Sequence, residues 1–111
     1  MASTNFKRHA VHWVELDPAR GSELKKTRSG VIVSRNELNA ALDTVVICPL
    51  TSTLHPTWPT RVQIRLGGKD SEIAVDQIRV VSKERLKAKI SELNAGQIAD
   101  LRETLQLTYV D

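Results

Sequence analysis

Apolar residues recur along this chain mostly in short runs, several at a spacing of two, separated by turn-forming residues. That pattern predicts strands. Ala10 to Leu16 (AVHWVEL) is rich in branched and aromatic residues and is expected to form the first strand. Asp17-Pro18 should end it, because proline fixes φ and has no N–H. A polar loop is expected over residues 18–29, bending at Gly21. Gly30 to Ser34 (GVIVS) predicts a short buried strand, and Thr44 to Pro49 (TVVICP) a third. Between them, Ser34 and Glu37 stand at capping-box spacing, which predicts a helical turn over Asn36 to Ala41.

Leu50 to Pro59 is expected to be a loop, punctuated by Pro56 and Pro59. Thr60 to Leu66 then alternates, with Val62, Ile64 and Leu66 on one side and Arg61, Gln63 and Arg65 on the other, the mark of a half-buried antiparallel strand. Gly67-Gly68 suits a hairpin turn. Ile73 to Val75 and Ile78 to Val81 predict one more strand or two short ones, and Ser82 is placed to cap a short helix running to Lys89. Asn94 and Gln97 form a second capping-box pair, opening a helix with Ile98, Leu101 and Leu105 on one stripe. Many short strands and a terminal amphipathic helix predict a small, curled antiparallel sheet with helix cover. With no repeat or low-complexity segment, residues 1–111 read as one domain.

Composition bounds the function without naming it. The chain is 41% hydrophobic and 26% charged, ordinary for a globular domain. A chain this short buries a modest share of its surface, and dimerisation is a natural way to bury more. Nothing resembles a signal peptide, and no apolar run approaches the ~20 residues of a membrane span, so a cytoplasmic location and no membrane partner are expected. Cys48 is the single cysteine, which excludes an intramolecular disulfide and a cysteine zinc site within one chain. Beside Val45, Val46 and Ile47 it reads as a small buried hydrophobe. The net charge is +3. Arg20, Lys25, Lys26 and Arg28 against the single acid Glu23 supply a local excess as large as that. Such a cluster is either a solvated loop or an electrostatic footprint for phosphates.

Three histidines invite acid–base chemistry near neutral pH. His9 and His12, three apart on the predicted strand, should face opposite sides. His55 lies in the loop after Thr51, within reach of a groove there. Trp58, between Pro56 and Pro59, suits either stacking on an unpaired base or a lid or dimer contact.

Four elements, in order, carry a family resemblance. They are Trp13-Val14-Glu15-Leu16-Asp17-Pro18, then Gly21-Ser22-Glu23, then Arg28 opening into Val31-Ile32-Val33, as one strand–loop–strand signature; Pro49-Leu50-Thr51-Ser52; Asp76-Gln77-Ile78-Arg79; and the segment Ser82 to Leu93 that follows. Together they resemble the MazF/PemK/Kid toxins over about Arg8 to Leu107. The resemblance implies an SH3-like small antiparallel barrel with a C-terminal helix, a two-fold homodimer, and an mRNA interferase. Such an enzyme cleaves single-stranded RNA without metal or other cofactor, leaving a 2′,3′-cyclic phosphate and a 5′-hydroxyl. A second partner is implied too: an antitoxin whose acidic C-terminal tail occupies the RNA groove.

By the same resemblance the catalytic arginine falls on Arg28 and the catalytic threonine on Thr51. Ser22, Glu23, Asp76 and Gln77 fall on groove positions, with Ser52, Lys25 and Lys26 alongside as RNA-binding candidates. The chain also departs from its relatives. It has Arg8-His9-Ala10 where they usually have Arg-Gly-Asp/Glu, and Ser29-Gly30 where proline usually follows the arginine. It has Ser22 and Ala74 where some relatives have histidine and arginine.

The implied chemistry is attack of a ribose 2′-oxygen on the adjacent phosphorus. A guanidinium matches two phosphate oxygens and is a poor base, so Arg28 suits charge stabilisation, and Thr51 suits donation to a non-bridging oxygen. Glu23 is a weak candidate base, because Lys25 and Lys26 lower its pKa; the base stays unassigned. The alternatives are a CcdB-like gyrase-binding toxin, although Leu105 to Asp111 lacks the tryptophan-containing tail of that group, and a related module that binds RNA or antitoxin without cutting.

Overall fold

The computed structural model describes residues 6–17 and 26–111. Ser22, Glu23 and Lys25 lie outside the described residues, and of Lys26 only the backbone is described. The strands are β1 (Ala10–Asp17), β2 (Lys26–Ile32), β3 (Thr44–Thr51), β4 (Arg61–Leu66), β5 (Lys69–Ala74), β6 (Arg79–Ser82) and β7 (Leu86–Glu92). A short helix α1 (Asn36–Ala41) bridges β2 and β3, and α2 (Ala95–Tyr109) follows β7. The strands pair antiparallel in the order β4-β5-β3-β2-β1-β7, with β6 also on β3. The result is a barrel-like sheet whose β4 and β7 edges do not pair with each other.

β3 organises the fold by changing partners along its length. On one edge its first half pairs β6 from Thr44↔Ser82 to Ile47↔Arg79, and its last residues, Leu50 and Thr51, pair β5. The 3₁₀ turn Val75–Gln77 joins β5 to β6 at that switch. Alternation along β3 feeds two apolar clusters. Cys48 and Leu50, with Val46 packed alongside, join Val11, Val31, Ile73 and the fully buried Leu101 of α2. Val45 and Ile47 join Val14, Leu16, Ile32, Val81 and Leu86 on the other face.

Several local expectations hold for physical reasons. Asn94 and Gln97 make the reciprocal capping box that starts α2. Gly67 and Gly68 have φ of 58° and 80°, the left-handed pair required by a tight hairpin. Cys48 is buried, and burial pushes its thiol up to about 12, so it is inert as a nucleophile.

Others need correction. The loop assigned to residues 18–29 ends at least four residues sooner, because β2 begins at Lys26 and carries Arg28 inside the strand. Ser34 does not cap α1. Arg35 is the N-cap, without a side-chain bond, while the Ser34 hydroxyl donates to Asn39 and accepts from Val46 N–H. Ser82 caps only the turn Lys83–Arg85; the residues expected to continue as helix form β7 on the edge of β1. Its lysines and Ala88 are good helix formers, and pairing with β1 overrides that preference.

His9 is not in β1 but in the turn before it, with φ of +74°. This is where relatives usually have glycine, and the left-handed backbone explains why, since a Cβ there costs roughly 1–2 kcal/mol. Backbone bonds hold the turn in that shape, His9 N–H to Ile32 O and Leu93 N–H to His9 O. His9→Gly should therefore stabilise the chain by about 1 kcal/mol, seen as a melting temperature a few degrees higher. An unchanged or lower melting temperature would show that the imidazole's contacts outweigh the backbone strain.

Candidate active site

The β2–β3 pairs Gly30↔Pro49, Val31↔Cys48 and Ile32↔Ile47 all follow one antiparallel register. Extended by two residues, that register sets Arg28 opposite Thr51. The β2–β3 pairing stops at Pro49, where proline has no N–H to give, and Leu50 and Thr51 pair with β5. The strands therefore separate where the two side chains stand, and a cleft of about 430 Å³ opens between them, lined by both. Leu16, which belongs to the second apolar cluster, also lines it, with Pro49, Leu50, His55, Arg61, Ala74, Gln77 and Arg79.

The backbone beside Arg28 is held without proline. Trp13↔Ser29 and Val14↔Arg28 lie in the β1–β2 ladder, so pairing supplies the restraint. Gly30 has its own reason: a Cβ there would meet Ile47 Cδ1 at 3.0 Å and Val14 Cγ2 at 3.3 Å. The missing side chain is what lets Ile47 and Val14 pack against the β2 backbone there. Arg28 is exposed and makes no side-chain hydrogen bond among the described residues, which leaves its guanidinium available in the cleft.

Behind the cleft lies a network that sequence reading missed. Glu72 of β5 is fully buried and accepts from His55 N–H at 2.6 Å, Gln63 Nε2 at 2.7 Å and Arg61 Nη1 at 2.5 Å. Burial alone would raise its pKa, but these donors outweigh it and hold the carboxyl at about 2. Arg61 also donates from Nε to Asp76 at 2.8 Å, and Thr60 donates its hydroxyl to the same oxygen. Asp76, held below its usual value chiefly by Arg61, thus braces a buried arginine and is absent from the cleft lining, whereas Gln77 lines it. Ser52 is exposed beyond the end of β3 and does not line it.

Arg61 pairs directly with Ala74 across β4–β5, so a cleft-lining guanidinium stands beside the position where some relatives carry arginine. Two carboxylates already engage it. Arg79 is the other arginine that the site adds; its Nη2 donates to Leu16 O at 3.3 Å. Its place in Asp76-Gln77-Ile78-Arg79 was the available signal. Trp58 is half-exposed, stacked on His55 at 3.9 Å between ring centroids, with Arg61 Cζ 4.6 Å from its ring. Because His55 Nδ1 and Arg61 Nη1 are 3.2 Å apart, both cover the same face of the indole. Among the described residues no cluster of His, Cys, Asp and Glu is arranged to hold a metal, and no helix is long and apolar enough to cross a membrane.

His12 is buried, with Nδ1 2.9 Å from Lys87 O, so neither it nor His9 lines this cleft. Tyr109, which carried no readable signal, donates its hydroxyl to Val75 O at 2.6 Å and ties α2 to the turn bearing Gln77.

Comparison with known proteins gives the family and the fold. Over 92% of its length the chain is 33% identical to the endoribonuclease MazF9 of Mycobacterium tuberculosis, covering 94% of that protein. Solved structures with the same fold include the M. tuberculosis toxin MazF-mt6 (TM-score 0.76, 22% identity, 90% of this chain and 95% of that one). A MazE–MazF crystal structure from Deinococcus radiodurans superposes with a TM-score of 0.82 at 21% identity, covering 98% of this chain and all of that one. The family model of PemK-like, MazF-like toxins matches residues 7–109. The chain therefore belongs to the PemK-like, MazF-like toxins of type II toxin–antitoxin systems.

Proposed function

We propose that this toxin is a sequence-selective, metal-independent endoribonuclease that cuts single-stranded RNA by attack of the ribose 2′-oxygen, with Arg28 and Thr51 as its catalytic pair. The observation that carries this reading is that Arg28 and Thr51, on neighbouring strands whose register runs towards both, line one open cleft. Arg28 offers two parallel donors to the phosphate oxygens that gain charge in the transition state, and Thr51 offers a hydroxyl from the facing strand. Arg79 adds positive charge, and Gln77 a neutral amide able to read a base edge. Ser22, Glu23, Lys25, Lys26 and Ser52 are carried as further RNA-binding residues on the family resemblance, and Asp76 contributes by holding Arg61.

The matched relative is named an endoribonuclease, one matched structure is an endoribonuclease in complex with its cognate antitoxin, and two others are of MazE–MazF. An acidic antitoxin segment suits a cleft carrying Arg28 and Arg79, where its carboxylates would take the place of phosphates. The test is cleavage of single-stranded RNA in EDTA by purified protein, with the product ends analysed. A 2′,3′-cyclic phosphate and a 5′-hydroxyl are expected, and an RNA with 2′-deoxyribose at the cut position should resist. Cleavage of that deoxy substrate would end the proposal.

A further inference from the structure

The group that accepts the 2′ proton has no candidate among Arg28 and Thr51, since arginine stays charged and a threonine hydroxyl is far too weak a base. The cleft contains one imidazole among the described residues, and its setting is specific. His55 Nδ1 lies 3.2 Å from the buried carboxylate of Glu72, whose other oxygen accepts the N–H of His55 itself. One carboxylate thus fixes both the backbone and the ring. Trp58 stacks on the imidazole and sets its plane. The ring is partly exposed, lines the cleft with Arg28 and Thr51, and has no hydrogen bond to Nε2 among the described residues.

We propose that His55 is the general base of the cleavage, oriented by Glu72, an assignment that rests on the ribonuclease reading above. Arg61 Nη1 also lies 3.2 Å from His55 Nδ1, but it already donates to Glu72. Glu72 and Asp76 against Arg61 leave one net negative charge behind the ring, which favours the proton on Nδ1 and leaves the Nε2 lone pair facing the cleft. In the reaction Nε2 takes the 2′-hydroxyl proton, the 2′-oxygen bonds to phosphorus, and the bond from phosphorus to the 5′-oxygen breaks. The 5′-oxygen leaves and takes its proton from water.

The experiment is single-turnover cleavage of a single-stranded oligoribonucleotide containing a site cut by the wild-type chain, followed across pH. Wild type should show a rate that rises with pH on the acid side. His55→Ala should be slower by on the order of 10²- to 10⁴-fold and should lose that rise. Glu72→Gln, assayed where circular dichroism shows it folded, should keep the rise but displace it along the pH axis. A substrate with sulfur in place of the bridging 5′-oxygen should stay slow with His55→Ala, because a better leaving group does not replace a base. Rescue by that substrate would make His55 an acid and overturn the assignment. So would a His55→Ala rate within a few-fold of wild type while Arg28→Ala is inactive, and an unmoved profile in folded Glu72→Gln would remove Glu72. If wild type cuts no RNA, the ribonuclease reading itself fails, and this assignment with it.

Discussion

Replacing Arg28 by alanine is expected to slow RNA cleavage by about 10²- to 10³-fold, the usual loss when one preorganised donor to a developing oxyanion is removed. The fold should be unaffected. Arg28 is exposed, holds no other side chain among the described residues, and sits in a strand fixed by backbone pairing to β1. Unfolding free energy should change by less than about 0.5 kcal/mol, as for an ordinary surface substitution. Arg28→Lys should recover only part of the rate, since an ammonium cannot span two phosphate oxygens in a fixed plane. Rates from single-turnover assays and urea melts on the same preparations decide the matter. Equal rates for wild type and Arg28→Ala would remove Arg28 from the mechanism.

Replacing Arg61 by leucine should do the opposite, unfolding the protein more than it alters any direct contact with RNA. The side chain of Arg61 is 5% exposed and that of Glu72 fully buried. Without the guanidinium a carboxylate is left in the interior with hydrogen-bond donors from His55 and Gln63 but no fixed countercharge, a change that costs about 3–5 kcal/mol. The pH dependence follows from the same group. Glu72 titrates at about 2 in the fold against 4.5 ordinarily, so its folded pKa is depressed. The stability it contributes, about 3 kcal/mol, is present above pH 4.5 and is lost as pH falls towards 2. In Arg61→Leu the carboxyl gains by becoming protonated, so the stability gap from wild type should narrow on acidification. Urea melts between pH 7 and pH 3 test this; a constant gap would show that the Arg61–Glu72 pair is not what the substitution breaks.

How much of this was legible beforehand depends on the kind of signal each residue leaves. Alternation marked β4, paired glycines marked its hairpin, and a capping box marked α2, because each is a local cause acting within a few residues. β7 was not legible: its lysines suit a helix, and only pairing with β1, more than 70 residues away, makes it a strand. Arg28 and Thr51 were identified by resemblance, whereas the register that brings them opposite each other is a property of two strands and appears in neither alone. Glu72 left no trace for the same reason. Its donors come from residues 55, 61 and 63, and nothing in Lys69 to Ala74 distinguishes it from a surface glutamate. His9 stood out as a departure from the family's glycine, but its consequence is a dihedral angle. Positions 18–25 lie outside the described residues, so the parts assigned to Ser22, Glu23 and Lys25 remain proposals from resemblance.

The partner exchange along β3 bears on when the molecule becomes dangerous. Its first half is held by β6 and its last residues by β5, and the cleft proposed for cleavage lies where those allegiances meet. A nascent chain that has assembled one sheet but not the other has no such cleft. On the proposed function, RNA cutting is then expected only from the finished fold.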